Sequence, residues 1–575
     1  MHRPRDLALD LGVVGLAAAL VAPLWTRGGY GLARDMVFVP RFALTDDAVG
    51  AGSVLPRAVP LDAVLGFVTV LVDGAVVFRI VVLGVLVLAG CGAHRLGRDL
   101  ARPARILLAV AAVWNPYVVE RMSMGQWALL ASYAALWWLL PAARAAVEGD
   151  RGALLACLGW LTLAALTPTG GLLALLVVLA VVAVRWHRAG GRHRGSALLG
   201  VAVLCQLPWV VPSLLGASAA VSDPAGVAAF AARGPGPGGV LPALLTGGGI
   251  WNPSVVPATA TTWWGLLGAA VAVLALLAGG RLVLAEHPDL VVAGAVGFAL
   301  ALLPALPGGE DLVAWCVEHV PGCGLLRDSQ KLLAPYVLLL VLCTATTVHR
   351  VAGPEGRRSP SSAEARLLVT VSAAILPLVL LPDAPREVWP TVRPVGYPGD
   401  IARAVATLDE ASPSTGDVVT LPWASYRRFS WGNDLSAADP VSRWADHAVV
   451  VRSDLAVPGG VVLGEDERAA EVGAVVQGSQ DDLVTGLRDL GVGWVLVYEG
   501  SVPAGPSVPE TGLPGLHPVV DGADVALYRV EGAEPTPAPD SAERAFLLAL
   551  DAAWLLAGVL GALGAVVLGR RAKSS

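Results

Sequence analysis

Residues 75–93 read AVVFRIVVLGVLVLAGCGA, a run of 19 residues in which Arg79 is the one charged side chain. A transmembrane helix needs about 20 predominantly apolar residues, so this run is long enough to cross a bilayer. The residues that follow it are basic and include Arg95, Arg98, Arg102 and Arg105. Lys and Arg in short loops stay on the cytoplasmic side of a membrane. The stretch therefore predicts a membrane-spanning helix whose C-terminal end is cytoplasmic.

Comparable apolar runs recur through the first 381 residues and once more near the end of the chain. With a window of about 20 residues, we predict an α-helical polytopic membrane protein of about 12 spans, near 8–25, 75–93, 105–119, 124–142, 153–167, 170–184, 196–215, 263–280, 289–306, 331–348, 366–381 and 545–568. The alternation of basic loops places both termini in the cytoplasm and the chain in the cell membrane. The centres of these spans hold almost no ionisable residue, whereas ion-coupled transporters usually carry such residues there. An exporter is therefore disfavoured.

The composition agrees with a membrane protein and excludes several other classes. Hydrophobic residues make up 55% of the chain and charged residues 15%, against about 25% charged residues in soluble domains. These values exclude an ordinary soluble enzyme, a coiled coil and a disordered chain. The net charge of -6 offers no basic surface for nucleic acid.

The acidic residues are concentrated in one segment. From Pro382 to Arg544 there are 25 Asp or Glu and 11 Lys or Arg, a composition polar enough for a soluble domain. We therefore predict a transmembrane region over 1–381, an extracytoplasmic α/β domain over 382–544, and a last helix with a cytoplasmic tail over 545–575. Within the domain, the pattern predicts helices over Gly399–Ala411 and Asp481–Leu490, and strands over Val418–Leu421, Val492–Tyr498 and Ala523–Val530.

The first predicted external loop contains YGLARDMVFVPR at residues 30–41, followed by Asp46 and Asp47. Apolar residues there flank isolated charges, so the loop would lie at the membrane interface and hold Asp35 near lipid headgroups. The alternative is that Asp35 pairs with Arg34 or Arg41 on a solvated surface.

A second polar stretch reads WNPYVVERMSMGQW at residues 114–127. Asn-Pro ends or kinks a helix, so Glu120, Arg121 and Gln126 would lie at the external mouth of the helix bundle. A structural turn with a Glu-Arg pair is the alternative.

A third stretch reads GCGLLRDSQK at residues 322–331 and opens the predicted span 331–348. Two cations and a hydroxyl at a helix N-terminus suit an anion such as phosphate, because free N–H groups and the helix dipole both favour negative charge. Alternatively, Arg327 and Lys331 anchor the helix to lipid phosphate and nothing more. Cys316 and Cys323 fall in the same loop, where an oxidising exterior permits a disulfide.

Together the three loops resemble actinobacterial membrane proteins related to GT-C glycosyltransferases, especially the arabinofuranosyl- and mannosyltransferase-like proteins of the cell envelope. The likeness rests on RDMVFVP at 34–40, NPYVVER at 115–121 with GQW at 125–127, and LRDSQK at 326–331. It covers most of the membrane region and implies a GT-C-like fold.

The resemblance also implies roles for particular residues. Such enzymes take a sugar from a polyprenyl-phosphate donor and use an acid of the first external loop as catalytic base, which is Asp35 here. A carboxylate within hydrogen-bond reach of an acceptor hydroxyl can remove its proton, and a leaving phosphate needs cations to hold its charge. The implied phosphate ligands are Arg327 and Lys331, with Arg34 and Arg121 as alternates. The candidates for a second acid are Asp46, Asp47 and Glu120.

The implied partners are membrane lipids, a polyprenyl-phosphate sugar and an envelope glycan acceptor. No cofactor is evident in the sequence. The histidines are isolated, so no cluster of His, Asp and Glu indicates a metal site, and a divalent metal is left open without support.

The predicted external domain contains LPWASYRRFSWGND at residues 421–434. Sugar rings could lie on the aromatic side chains there, with their hydroxyls on the polar ones. The candidate glycan-binding residues are Trp423, Tyr426, Arg427, Trp431, Asn433 and Asp434. The alternative is that these aromatics pack the domain onto the bundle, because Trp and Tyr favour interfaces.

The leading hypothesis is a glycosyltransferase that moves a sugar from a polyprenyl-phosphate donor to an envelope glycan or glycolipid at the external membrane face. The competing class is a non-catalytic membrane scaffold or glycan-binding protein of envelope assembly. A cavity that joins Asp35 to Arg327 and Lys331 would favour the enzyme. Apolar side chains filling that space would favour the scaffold.

Overall fold

A computed structural model describes residues 4–52, 55–187, 190–216, 222–353, 363–411, 413–457, 460–504, 513, 516–534, 537 and 539–574. Its helices are α1 (Pro4–Leu20), α2 (Asp46–Val49), α3 (Leu61–Thr69), α4 (Gly74–Leu96), α5 (Arg102–Val113), α6 (Pro116–Ser123), α7 (Trp127–Glu148), α8 (Arg151–Ala164), α9 (Pro168–Arg185), α10 (Gly191–Leu204), α11 (Leu207–Leu215), α12 (Ala225–Phe230), α13 (Val240–Leu245), α14 (Trp263–Glu286), α15 (Pro288–Leu302), α16 (Gly309–His319), α17 (Ala334–Ala352), α18 (Ala363–Leu380), α19 (Ala384–Val392), α20 (Gly399–Glu410), α21 (Val441–Trp444), α22 (Glu467–Val476), α23 (Gln480–Asp489) and α24 (Ser541–Ser574). Its strands are β1 (Leu32–Ala33), β2 (Met36–Val37), β3 (Asp417–Leu421), β4 (Arg427–Arg428), β5 (Ser436–Ala437), β6 (Val449–Val450), β7 (Leu455–Val457), β8 (Gly460–Val462), β9 (Val492–Tyr498), β10 (Val502–Pro503), β11 (Pro518–Asp521) and β12 (Val525–Arg529).

Seven described helical segments are long and apolar enough to cross a membrane: α4, α7, α9, α14, the segment Pro288–Ala305 that begins with α15, the segment Ser329–Ala352 that ends with α17, and α24. Two further pairs, α10 with α11 and α18 with α19, meet this condition together but bend by 56° and 64° at a short break. The other three predicted spans are helical but short, because α1 has 17 residues, α5 has 12 and α8 has 14. The predicted count of 12 is therefore not confirmed. Length and composition support seven spans, or nine if each bent pair is one pass.

The predicted helix 105–119 is broken by its Asn-Pro dipeptide. Helix α5 ends at Val113, and a new helix, α6, begins at Pro116. The Asn115 side chain caps α6 by accepting a hydrogen bond from the Val118 N–H at 3.0 Å. Proline at the first helical position has no N–H to leave unpaired, so it favours a start there. This break separates α6 from α5, and α6 contributes to the site described below.

Five strands near the C-terminal end form a mixed sheet in the order β11-β12-β9-β3-β6. Strand β3 is parallel to β9 and β6, whereas β12 pairs antiparallel with β9 and β11. The predicted strands correspond to β3, β9 and β12, and the predicted helices to α20 and α23. Strands β6 and β11 and helix α22 were not predicted.

The two faces of this sheet pack against different partners, because successive strand residues point to opposite sides. Val419 and Val495 pack with apolar residues of α22 and α23. Val418 and Leu496, on the other face, belong to the same hydrophobic core as α20 and the membrane helices. One continuous core therefore fixes the sheet against the helix bundle.

The loop after α1 is also bound by backbone hydrogen bonds to residues 382–544, called the polar segment below. Tyr30 and Val395 exchange two of them, each 2.8 Å long. The Ala43 N–H donates to the carbonyl of Arg443 at 2.8 Å, and the Arg443 side chain lies 3.3 Å from Asp62. Residues about 400 positions apart in the chain are thus brought together above the bundle.

A buried ionic cluster joins three helices at the far end of the bundle. Asp289, at the start of α15, is fully buried and ion-paired with Arg144 of α7 and Arg185 of α9. Each arginine lies about 17 residues, or roughly 25 Å, beyond the start of its helix. This cluster therefore lies well away from the ends of α7 and α9 that form the site.

We expect Arg427→Ala to destabilise the protein by about 3–5 kcal/mol, because it leaves a buried carboxylate without its cation. Arg427 is fully buried and donates to Asp439 at 2.7 Å and to the hydroxyl of Thr420 at 2.8 Å. The neighbouring Arg428 is exposed, so Arg428→Ala is the matched control and should change stability little. Thermal unfolding of the purified protein in detergent measures both effects, and equal unfolding midpoints for the two variants would contradict the assignment.

Candidate functional site

The candidate base, Asp35, lies in the turn of a short hairpin. Strands β1 and β2 pair antiparallel on either side of Arg34 and Asp35. Arg34 has a φ of 53°, in the left-handed region, and its backbone exchanges hydrogen bonds with Ser436 and Ala438. The Asp35 N–H donates to the carbonyl of Met124 at 3.2 Å. The turn is therefore held from both the bundle and the polar segment.

Gly125 allows this hairpin to approach the start of α7. Its φ is 83°, a conformation that favours glycine. A Cβ at this position would collide with the backbone nitrogen of Met36 and lie 3.0 Å from the carbonyl oxygen of Ala33. The glycine of the GQW motif is therefore required by both its backbone conformation and this close contact.

Both oxygens of the Asp35 carboxylate accept hydrogen bonds from neutral groups. The hydroxyl of Tyr426 donates to Oδ1 at 2.6 Å, and the amide of Gln126 donates to Oδ2 at 2.9 Å. The negative charge of Asp35, together with burial, raises the pKa of Tyr426 well above its usual value. Tyr426 therefore stays protonated and acts as a donor to Asp35.

Arg121 is fully buried and uses all of its N–H groups within the protein. It forms a two-pronged pair with Asp328, with both distances 2.8 Å. It also donates to the side-chain oxygen of Gln126 at 2.8 Å and to that of Gln330. A guanidinium has five N–H donors, and these contacts account for all five. Arg121 therefore has no donor left for a substrate phosphate.

These contacts form a continuous hydrogen-bonded chain across the site. It runs from Tyr426 through Asp35, Gln126, Arg121 and Asp328 to Lys331, whose Nζ lies 3.3 Å from Asp328. Burial acts to raise the pKa of Asp328, but Arg121 and Lys331 outweigh it and lower the pKa to about 2. Asp328 is therefore ionised, and it holds Lys331 and Arg121 in fixed positions.

A single cavity of about 1370 Å³ contains much of the predicted site. Of the predicted residues, those that line it are Asp35, Arg34, Arg327, Lys331, Tyr426 and Asp434. The guanidinium of Arg34 also donates to the carbonyl of Ser123 at 2.6 Å and to Thr391 at 3.1 Å. Arg327 packs close to Gly226, where a Cβ would lie 2.9 Å from the Arg327 Cδ.

The three candidates for a second acid are not among the residues that line the cavity. Asp46 accepts a hydrogen bond from Arg544 at 2.6 Å and, with Asp47, begins α2. Glu120 is fully buried and accepts from the N–H groups of Gly249 and Ile250 at 3.2 and 3.0 Å. Glu120 thus positions the loop after α13, and the structure assigns these acids positions away from Asp35.

The predicted glycan platform over residues 423–434 is not assembled. Trp423 is buried in the core beside α22, and Arg427 is fully buried against Asp439. Trp431 stacks on Phe429 with ring centroids 4.8 Å apart and packs against Tyr397. Asn433 hydrogen-bonds Arg27 and the carbonyl of Arg393. Trp423 and Arg427 are thus held by packing inside the sheet domain, whereas Asn433 contacts Arg27 of the loop after α1.

Among the residues at this cavity to which the sequence assigned no catalytic or binding role are Gln126, Asp328 and Glu465. Gln126 and Asp328 were visible in the motifs GQW and LRDSQK, but nothing in their local sequence indicated that they bracket Arg121. Glu465 also lines the cavity and had no local signal, because its partners Arg57 and Arg327 are distant in sequence.

One described group could hold a metal ion, and it lies away from this cavity. It consists of Asp10, Cys91 and His94. The carboxylate of Asp10 already pairs with Arg95 at 2.7 Å, and Arg105 lies 3.2 Å from a ring nitrogen of His94. Two neighbouring guanidinium groups disfavour a bound cation there, so the cluster is better described as an ion-pair network between α1, α4 and α5.

Cys316 and Cys323 form the disulfide that the sequence permits. The bond closes the segment between α16 and the turn that carries Arg327. The remaining cysteines, Cys91, Cys157, Cys205 and Cys343, are buried.

The fold is shared with solved structures of the arabinofuranosyltransferase AftD from Mycobacteria. One of these matches with a TM-score of 0.55 and 17% sequence identity, over 92% of this chain and 40% of that chain. A mutant form of the same protein matches with a TM-score of 0.56 and 18% identity, over 92% and 42% of the two chains. This chain thus spans about two fifths of the length of AftD. The resemblance inferred from the three loops is confirmed at the level of the fold.

No protein-family model and no curated protein sequence matches the chain. The likeness is therefore one of three-dimensional structure.

We expect Arg121→Gln to destabilise the protein by about 3–5 kcal/mol, because Asp328 keeps its charge and loses its two-pronged partner. The double variant Arg121→Gln with Asp328→Asn should lose less than the sum of the single variants, with a coupling energy of about 2 kcal/mol. Chemical denaturation in detergent measures all three, with Lys331→Gln as the control for a half-exposed partner. Strict additivity would show that the pair does not organise the site.

The burial of Glu120 predicts a dependence of stability on pH. Burial raises the pKa of Glu120 from 4.5 to about 7, despite the backbone hydrogen bonds that favour its charged form. The folded protein thus holds a proton that the unfolded chain releases from about pH 4.5 upward, so this stabilisation is complete below that pH and is lost as the pH rises to about 7.

The unfolding temperature of the wild type should therefore fall more steeply between pH 5 and 7.5 than that of Glu120→Gln. Glu471→Gln, which changes an exposed residue, should keep the wild-type slope. Identical slopes for all three proteins would mean that Glu120 does not titrate in this range.

Proposed function

We propose that this chain is a membrane glycosyltransferase that moves a sugar from a polyprenyl-phosphate donor to a glycan or glycolipid of the cell envelope. The observation that carries the proposal is the cavity of about 1370 Å³ that Asp35, Arg327 and Lys331 line together. A non-catalytic scaffold has no need of a carboxylate and two cations around one open space. The shared fold with AftD supports a transferase and supplies no residue role.

Asp35 is our candidate for the catalytic base among the acids that line the cavity, which also include Asp62, Glu318, Asp328, Asp434 and Glu465. Asp62, Asp328 and Glu465 each pair with a guanidinium group, and Glu318 and Asp434 are exposed. Asp35 instead accepts its two hydrogen bonds from a phenol and an amide. A carboxylate has about four acceptor positions, so Asp35 keeps capacity for an acceptor hydroxyl.

In the proposed reaction, Asp35 removes the proton of the acceptor hydroxyl as its oxygen bonds to the anomeric carbon of the donor sugar. The bond from that carbon to the phosphate oxygen breaks, and its electron pair leaves with the lipid phosphate. Arg327 and Lys331 stabilise the departing charge, since preorganised cations act where negative charge develops. Tyr426 and Gln126 keep the carboxylate oriented toward the acceptor.

The lining of the cavity suits a donor with a charged headgroup and an apolar chain. Beside the charged residues it includes Leu61, Leu65, Trp127 and Trp209. Two large exposed side chains, Trp263 and Trp315, lie on the segments that flank the cavity wall, with 76% and 56% of their surface accessible. Tryptophan is enriched at membrane–water interfaces, so we place the cavity at the level of the lipid headgroups.

We place this cavity on the external face of the membrane. The disulfide between Cys316 and Cys323 borders it, and disulfides persist in oxidising compartments. The same placement leaves the basic loops after α4 and α7 on the cytoplasmic side, in agreement with the distribution of Arg in the sequence. The donor would then be a sugar that is already exposed on the external leaflet.

The decisive measurement is transfer from a panel of radiolabelled polyprenyl-phosphate sugars, including the arabinofuranosyl donor, in membranes that carry the protein. We expect Asp35→Asn to lower the rate by about 10²–10⁴-fold, the usual contribution of a general base. Tyr426→Phe should lower it less, by about tenfold, because it removes one orienting hydrogen bond.

Asp46→Asn is the matched control, because Asp46 pairs with Arg544 and does not line the cavity. It should retain transfer at the same expression level. Wild-type rates in a stably expressed Asp35→Asn protein would move the base to another acid. Failure of the wild type to use any donor of the panel would overturn the proposed function.

A further inference from the structure

Two arginines from distant parts of the chain converge on one carboxylate at the edge of the cavity. Arg57, in the loop before α3, pairs with Oε2 of Glu465. Arg327, before α17, lies with its Nη2 2.9 Å from Oε1 of the same side chain. Each carboxylate oxygen of Glu465 thus has its own guanidinium, and all three residues line the cavity.

Glu465 reaches this position on a short loop between β8 and α22. The Leu463 N–H donates to Asp223 at 2.9 Å, and the Gly464 N–H donates to Asp454 at 3.0 Å. The Glu465 side chain is only 4% exposed, whereas that of Arg57 is 60% exposed. The loop therefore inserts a buried negative charge between two cations that belong to the other side of the cavity.

Arg57 and Arg327 are arranged like an anion-binding site, and the carboxylate of Glu465 already occupies it. Burial acts to raise the pKa of Glu465, but Arg57, a hydrogen bond with Ser222 and Arg327 together hold it below its usual value, so the group is ionised. Arg327 uses its Nε–H on the carbonyl of Gly324 at 3.2 Å and retains further donors. Arg121, by contrast, donates all of its N–H groups to other side chains of the protein. Paired guanidinium groups of this kind bind phosphate as readily as carboxylate.

We propose that Arg57 and Arg327 form a phosphate site that Glu465 closes, and that the phosphate of a lipid substrate takes the place of the Glu465 carboxylate. The inference rests on the proposed function, since it deepens the role given there to Arg327. When the phosphate enters, the Glu465 side chain loses both of its cations. The loop over residues 463–465 then keeps its backbone hydrogen bonds to Asp223 and Asp454 and loses its ionic contact with Arg57 and Arg327.

This arrangement has an energetic consequence that a purely structural ion pair does not have. Removal of the Glu465 charge eliminates a competitor for Arg57 and Arg327, so a phosphate ligand binds more tightly to the variant than to the wild type. If Glu465 only docks the polar segment onto the bundle, its removal loosens that contact and leaves phosphate affinity unchanged or weaker. The sign of the change in affinity therefore distinguishes the two roles.

The test measures binding of farnesyl phosphate to the full-length protein in nanodiscs of neutral lipid, by isothermal titration calorimetry. We expect Glu465→Gln to lower the Kd about tenfold, since a charge-assisted hydrogen bond contributes about that factor. Arg327→Gln should raise the Kd by a similar factor. Glu467→Gln, which changes an exposed residue two positions away, should leave it at the wild-type value.

Glu465→Asp provides a second variant that keeps the charge but shortens its reach, and it should give an intermediate Kd. Wild-type binding with an unchanged or higher Kd in both Glu465 variants would overturn this inference and leave the proposed function standing. Equal binding by wild type and Arg327→Gln, or no binding by either, would overturn the phosphate assignment itself and with it the inference.

Discussion

The geometry of the site depends on Arg121, a buried cation that needs a hydrogen-bond acceptor for each of its N–H groups. Arg121 has no access to water, and an unpaired buried donor costs about 1–3 kcal/mol, more when it is charged. Its five donors are met by Asp328, Gln330 and Gln126. These residues come from the turn before α17 and from the start of α7, so satisfying Arg121 fixes both segments. Asp35 and Lys331 are then positioned through Gln126 and Asp328.

The acids around the cavity differ in what surrounds them, and this difference divides their roles. Asp328 and Glu465 lie against guanidinium groups and act as fixed negative charges. Asp35 instead accepts its hydrogen bonds from two neutral donors, Gln126 and Tyr426. Likewise, Arg121 uses every N–H group within the protein, whereas Arg327 pairs with Glu465 and also lines the cavity. Residues of the same type around one cavity therefore differ in how many of their polar atoms the protein itself occupies.

The sequence predicted features that depend on local patterns. Apolar runs predicted the long helices and the strands β3 and β9, and Asn115-Pro116 predicted the end or kink of a helix that separates α5 from α6. The motifs around Asp35 and Arg327 also led to two segments that meet in one cavity.

The assignments of Arg121, Trp423 and Arg427 required partners that no local pattern reveals. Arg121 binds residues about 207 positions away, whereas Trp423 and Arg427 are fixed by packing inside the sheet domain. The predicted count of 12 spans is not confirmed at α1, α5 and α8, which are short, because hydropathy alone does not show where a helix ends.

The hydrogen bond between Tyr426 and Asp35 joins residues 391 positions apart, which bears on how the protein is made. At a synthesis rate of about 5–20 residues per second, roughly 20–80 s separate the appearance of the two side chains. During that time the hairpin that carries Asp35 has Gln126 but not Tyr426, and the sheet that covers it does not yet exist. The nascent chain can therefore insert its early helices while its carboxylate is still incompletely held. Completion of the site becomes a late event in biogenesis, after most of the bundle is already in the membrane.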